Sequence, residues 1–548
     1  MYAQIATKTW RTHANYATAL GIEEIENRVY CFTQNGFFYY DKSTQQTTKL
    51  SKLAGLSETL ISQIKYDSTQ KLLLVAYKSG LIDLIKLNQS GDFKGIETFD
   101  FIKTTSSIQT SKQINEIAFK DTYAYLACDF GLVVFDYTKK EIRETYQNIG
   151  KNGNSLIIKS VGFQSDSIYV NTSEGILAAK FSPNINLQYY GNWQKSNNTS
   201  LFKPAFALPN NSLITQAADY LKDNKGFLWI ADAKNGLLSN LNGKFESLSP
   251  NGLPENTGNL QHKNGQVYFK SNENYLFTEN LWQSSSENLS DEISFVDEYN
   301  FTWKLEYGTV SVSNGKNSKY YYYGNGLLGD PLSISLDKDG LVWIGTSNGV
   351  AVIATSSNIL SASVLPYTPY YQGKRLLLQE KVNKILVDGG NRKWMGTSNG
   401  LFLFNANADE QISYFSEENS PLFTSEIIDL AINPADGELF ILCTDGLLSY
   451  RTDATEALES FENAKIFPNP VRSNFSGVLT ITNLVENTTI KITDIAGNLV
   501  YETQANGGTA IWDLYTKNGN RATIGVYLVF GVSANDTQRL VGKFAVVN

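Results

Sequence analysis

Apolar and polar positions alternate in short runs along most of the chain, and one arrangement keeps returning: two or three apolar or aromatic residues, a small polar bend, a glycine, then a second apolar run. The cleanest copies span residues 341–350 (LVWIGTSNGV) and 392–401 (RKWMGTSNGL). Looser copies fall at 29–37, 72–81, 123–132, 168–176, 227–237 and 439–447, with degenerate ones at 267–276 and 303–310. A run of period two, a tight turn and a returning run predict a β-hairpin. Asn-Gly at 35–36, 235–236, 348–349 and 399–400 predicts the two positive-φ residues of a type I′ turn. The turn glycines Gly36, Gly80, Gly131, Gly175, Gly236, Gly349, Gly400 and Gly446 lie mostly 44 to 51 residues apart. That spacing holds four strands and their loops, the period of a propeller blade. Ten copies exceed the roughly four to eight blades of one propeller.

The pattern therefore predicts an all-β chain with two β-propellers, tandem or partly interleaved. The first is expected over residues 5–200, ending in the polar stretch 182–211, and the second over 201–451. Residues 8–12 are expected to close a ring by pairing with a distant blade. A polar linker at 452–463 then leads into residues 464–548, where seven short alternating runs predict an Ig-like β-sandwich.

Composition narrows the chemistry. The 31 Tyr and 29 Phe against 2 Met and 12 Pro favour strands. With 46 basic and 54 acidic residues, a net charge of -8 offers no electrostatic ground for binding nucleic acid. Cys31, Cys128 and Cys443 are too far apart for a zinc site or redox pair and are expected to be buried. No run approaches about 18 apolar residues, so no transmembrane segment is expected. Residues 1–4 read like the remnant of a secretory cleavage site. His13 and His262 show no metal-ligand spacing and no nucleophile motif beside them, and are read as incidental surface or strand residues. Nucleophile elbow, phosphate loop and His-Glu-x-x-His are all missing, so no catalytic residue, metal or cofactor is expected. Asp337-x-Asp339-Gly340 has the start of a calcium loop without its remaining ligands, and reads as a turn. Tyr320, Tyr321, Tyr322 and Tyr323, in a strand, would put two phenols on each face. With residues 367–371 they are the candidate sugar-stacking aromatics.

The tail carries Phe467-Pro468-Asn469-Pro470 at its start, Gly497-Asn498 within 494–501 (DIAGNLVY), Gly525-Val526-Tyr527-Leu528-Val529, and Lys543 in the terminal Gly542-Lys543-Phe544 run. In order and spacing these motifs resemble the C-terminal sorting domain of the type IX secretion system. The resemblance makes Pro468, Asn469, Pro470, Gly497, Asn498, Gly525, Tyr527 and Lys543 the sorting-motif residues. It also implies export through the periplasm to the cell surface, on the outer face of the outer membrane. The Asp-x-x-Gly, aromatic, Ile-Gly-Thr, Asn-Gly run resembles two-component-regulator-type propellers. The whole arrangement resembles the PorZ family of the surface attachment complex. That implies a retained sorting domain, partners in the PorU sortase, the PorV shuttle and PorQ, and binding of anionic lipopolysaccharide. The family's propellers are usually seven-bladed, which the ten copies here do not match.

The function expected from these features is a non-catalytic cell-surface scaffold that assists sortase-mediated processing and anchoring of secreted cargo. The alternative is a secreted carbohydrate-active propeller enzyme exported by the same system, whose paired carboxylates the sequence does not locate. A third reading, a periplasmic sensor, is expected to continue into a membrane helix and a kinase, whereas this chain ends at Asn548.

Overall fold

Strands form wherever the alternating runs can bury one face, and the computed structural model is built almost wholly of them. It describes residues 5–202, 207–253, 255, 257–533 and 538–548, so the reading of residues 1–4 lies outside the described residues. No helix among them is long and apolar enough to cross a membrane. The chain divides into two units, residues 14–254 and residues 1–13 with 255–548.

The first unit is a β-propeller of five four-stranded antiparallel sheets among the described residues. Its inner strands are Ala19–Ile25, Ile61–Asp67, Ile114–Lys120, Ile158–Gln164 and Ala217–Lys222. Each carries a bulge at the same place, between Ala19 and Gly21, Ile61 and Gln63, Ile114 and Glu116, Ile158 and Ser160, and Ala217 and Asp219. A bulge re-aims the side chain that follows it. Here that side chain reaches the next blade: Glu116 accepts the Val161 N–H at 2.8 Å, and Asp219 accepts the Ile22 N–H at 3.0 Å, tying the fifth blade to the first. Between blades the faces bury apolar wedges such as Leu74, Leu126 and Phe135.

The second unit holds another β-propeller, again of five blades among the described residues. Its last blade, Ile427–Asn433, Glu438–Cys443 and Gly446–Arg451, takes its fourth strand from Trp10–Thr12, with Trp10 opposite Tyr450 and Thr12 opposite Leu448. The distant pairing expected of residues 8–12 is thus present. Asp429 repeats the role of Asp219, accepting the Leu260 N–H of the first blade at 2.8 Å.

Two expectations change. The break expected near residue 200 lies within the first propeller, whose fifth sheet runs from Ala217–Lys222 to Glu246–Ser247. The physical reason is packing: Trp229 and Leu237 of that sheet share a core with Ala19, Val29 and Phe38. The hairpin turns are not type I′, because Gly349 and Gly400 have positive φ while the asparagines before them do not. The loop residues are Ser347-Asn348, and Thr346 shapes the turn by donating to Gly349 O at 2.9 Å and accepting the Asn348 N–H at 3.1 Å. Blade number, five in each ring among the described residues, agrees with the ten copies in the sequence and departs from the family's usual seven.

The tail is a β-sandwich. A three-stranded sheet (Lys465–Phe467, Leu479–Thr482, Thr509–Trp512) faces a five-stranded one ordered Val471–Arg472, Gln538–Val547, Gly525–Val532, Thr489–Asp494, Leu499–Gln504. Trp512, Ile481, Ile492, Val529 and Phe544 fill the space between them.

Candidate functional site

Four blades share a clamp that the sequence repeat only half reveals. In each, an aspartate at the end of the inner strand accepts two backbone N–H groups of the following turn and the indole N–H six residues on. The pairs are Asp223–Trp229 (3.0 Å), Asp297–Trp303 (2.9 Å), Asp337–Trp343 (2.7 Å) and Asp388–Trp394 (3.2 Å). Asp337 also bonds Lys393, fully buried on the next blade, at 2.9 Å. The Asp337-Asp339 segment is therefore a turn whose first carboxylate is already occupied. For Asp223 burial alone would raise the pKa, but the Trp229 indole and the backbone donors outweigh it and hold the carboxyl below its usual range. The signal missed in the sequence is Asp-x₅-Trp, which marks the degenerate blade at Trp303 as well as the clean ones.

The axis of each ring is lined by inner-strand side chains. In the first, Glu23 bonds Lys65 at 3.0 Å and Glu116 and Asp219 stand near them; burial pushes all three carboxyls up. In the second, a cavity of about 670 Å³ is bordered by Gln261, Ser335, Lys384 and Asp429, with Lys384 and Asp429 paired at 2.9 Å. His262 lines it too, its pKa lowered by burial.

His13 is not a surface residue. Trp282 donates to its Nδ1 at 3.2 Å, which leaves the proton on Nε2, 2.9 Å from Ser449 Oγ. Ser449 in turn donates to Glu438. Serine, histidine and glutamate thus meet, but the serine proton points at the carboxylate and the hydroxyl is fully buried, so nothing prepares it as a nucleophile. Cys31, Cys128 and Cys443 are fully buried, and burial pushes the Cys31 and Cys128 thiols up. Among the described residues no group of three or more His, Cys, Asp and Glu is placed to hold a metal ion.

The tyrosine run differs from its expected two-and-two pattern. Tyr321 alone is buried, stacked 6.4 Å from Trp303. Antiparallel pairing with strand Thr309–Ser313 ends at Tyr321, beyond which Tyr322 and Tyr323 pair in parallel with Gly326 and Leu327. Tyr320, Tyr322 and Tyr323 are exposed.

In the tail, the sequence-predicted residues gather at one end of the sandwich, because Asp494, just before the Gly497-Asn498 turn, pairs with Tyr527, which in turn pairs with Phe544. Asn469, between Pro468 and Pro470, donates to Lys543 O at 3.1 Å and accepts the Ala545 N–H at 3.2 Å, fastening the entry segment to the last strand. Tyr527 stacks on Phe544 at 5.3 Å and donates to Thr523 O, and Gly525 opens its strand. Gly497, with φ of 88°, and Asn498 form a turn in which Asp494 accepts the Asn498 N–H at 2.9 Å. Lys543 is exposed.

The segment between propeller and sandwich is held along its first half. Arg392 pairs with Asp453 at 2.8 Å, Lys338 with Glu456 at 3.0 Å, and Gly508 N–H donates to Thr455 O at 2.8 Å. A Cβ on Gly389 would lie 2.0 Å from Thr455 O, so only glycine lets the two backbones approach. Burial would raise Asp453, yet Arg392 and Lys8 hold it below the usual carboxylate range.

Blades, ring closures and tail together define a two-propeller protein that ends in a secretion-type sorting sandwich. Residues 29–194 match the family described as the N-terminal β-propeller domain of PorZ in the type IX system, and residues 465–546 match the secretion system C-terminal sorting domain. The chain is a PorZ-like type IX secretion component. Over 98% of its length it is similar to all of PorZ, the surface component of that system in Porphyromonas gingivalis, with 18% identity and a TM-score of 0.66. The extracellular domain of a putative one component system from B. thetaiotaomicron aligns over 97% of this chain and 86% of its own, at 13% identity and a TM-score of 0.25. No curated protein matches the chain.

Proposed function

We propose that the chain is a non-catalytic scaffold of the type IX attachment complex, displayed on the outer face of the outer membrane, where it assists a sortase in processing and anchoring secreted cargo. The observation that carries the reading is the pairing of a PorZ-type propeller at residues 29–194 with a sorting domain at 465–546. The secured linker adds to it, because a sorting domain held by Asp453, Thr455 and Glu456 is built to stay attached to its propeller. Its partners in this reading are the PorU sortase, the PorV shuttle and PorQ. Anionic lipopolysaccharide is its surface ligand, with the exposed Tyr320, Tyr322 and Tyr323 as stacking candidates.

The test is affinity purification of the full chain from its native envelope, followed by mass spectrometry. Recovery of intact chain, tail included, together with a sortase and a shuttle is the expected result. A tail-less protein released alone into the medium overturns it. Deletion of residues 464–548 is expected to abolish surface display while leaving the first propeller folded.

A further inference from the structure

A cavity of about 750 Å³ opens between the start of the chain, the last blade of the second propeller and the sorting sandwich, all within one unit. Its walls are largely apolar, from Ile5, Phe467, Pro468, Phe475 and Val478. That volume lies in the usual range of small-molecule sites, roughly 300–1,000 Å³. Among the described residues that line it, the one buried charge is Arg451, which ends the last strand of the ring and is 2% exposed. The Nε and Nη1 of Arg451 have no hydrogen-bond partner, and among the described residues no carboxylate comes within ion-pair distance of the guanidinium. A buried guanidinium with empty donors is costly unless something completes it. Burial lowers the pKa of Arg451, with Asp436 and Glu438 opposing that trend from a distance. Glu438 is itself engaged, by Ser449 at 2.5 Å and Arg11 at 3.6 Å.

We propose that this cavity binds a monocarboxylate carried on an apolar chain, the carboxylate paired to Arg451 and the chain lying against Phe467, Phe475 and Val478. A guanidinium suits a carboxylate because a charged N–H donor makes a stronger bond to an anionic oxygen than to a neutral one. A singly charged head is favoured over a phosphate monoester because Glu438, paired across the strands with Arg451, adds negative charge beside it and penalises a second charge. The inference stands apart from the proposed scaffold role, since it concerns a different surface and a different ligand. Its consequence for the molecule is a small-molecule staple across the junction of propeller and tail, because Thr7 and Thr480, bonded at 2.9 Å, border the same cavity from its two sides.

Calorimetric titration of the full chain with decanoate, decyl phosphate and decanol tests this. Decanoate is expected to bind at least tenfold more tightly than decanol and more tightly than decyl phosphate. Arg451→Gln is expected to weaken decanoate at least tenfold and to leave decanol unchanged. Val478→Trp, which fills the cavity and keeps the arginine, is expected to abolish binding of both, and it decides the matter if Arg451→Gln does not fold. Equal affinity for decanoate and decanol, preference for the phosphate, or undiminished decanoate binding by Val478→Trp each overturns the proposal.

Discussion

Arg392 lies between two aspartates, Asp388 at 2.9 Å on its own blade and Asp453 at 2.8 Å on the segment that leads to the tail. The guanidinium is thereby shared by the clamp of the fourth blade and the anchor of the sorting domain. Asp453→Asn removes one charge from a buried pair and is expected to cost on the order of 2 to 3 kcal/mol. Hydrogen exchange of residues 452–458 should quicken while the first propeller is unaffected; unchanged protection there would show that the pair contributes nothing.

Gly389→Ala acts on the same junction by contact rather than charge. A methyl 2.0 Å from Thr455 O forces the linker off the blade. Limited proteolysis between residues 452 and 463 is expected to speed up at least tenfold, whereas Gly497→Ala, whose added methyl meets nothing within 4 Å, should not change that rate.

The Asp–Trp clamp separates two effects. Trp343→Phe keeps a ring in the core and deletes one hydrogen bond, an expected loss of about 1 kcal/mol. Asp337→Ala strands Lys393, which is fully buried, and should cost about 3 to 5 kcal/mol. A smaller loss for Asp337→Ala than for Trp343→Phe, measured by denaturant unfolding, would refute the assignment.

Those clamps also show what could be read from the sequence. Blade number and ring closure by residues 8–12 follow from the glycine spacing and from a stray apolar strand, because each blade must repeat the same hairpin to bury its faces. The boundary was hidden because the blade that ends the first ring and the blade that opens the next carry similar hairpin patterns, and only the burial of Trp229 against Phe38 decides between them. Arg451 was invisible for a different reason. An arginine at a strand end normally reaches water, whereas this one is buried where the chain start and the sandwich line one cavity with it.

Trp10 packs against Phe415 and Tyr450 at 5.3 and 4.9 Å. Trp10→Ala is expected to destabilise the second propeller by about 2 to 3 kcal/mol through the cavity it leaves, with the first propeller unchanged. A uniform loss across both units in hydrogen exchange would contradict this.

The pH dependence of the first propeller should carry the mark of Glu116. Burial raises its pKa, so the folded state holds its proton at pH values where the unfolded chain has released it. Its ionisation therefore opposes folding, and the penalty grows as pH rises from the ordinary carboxylate range toward neutrality. Glu116→Gln keeps an acceptor for the Val161 N–H and removes the charge. It is expected to raise the melting temperature at pH 7 by about 1 to 3 °C, as a gain below about 1 kcal/mol would in a unit of this size, and to change nothing near pH 4. A loss at pH 7 would reverse the sign.

The pairing of Trp10 with Tyr450 also sets an order of events. Strand Trp10–Thr12 cannot find its place until a segment hundreds of residues further along the chain is free to pair with it, since its partner is the last strand of the second ring. The first propeller has every strand it needs by residue 254 and can settle early. The second must wait, its opening strand unpaired, and completes itself only when the residues that lead directly into the sorting domain are present, so that a finished second ring requires the chain up to the threshold of its tail.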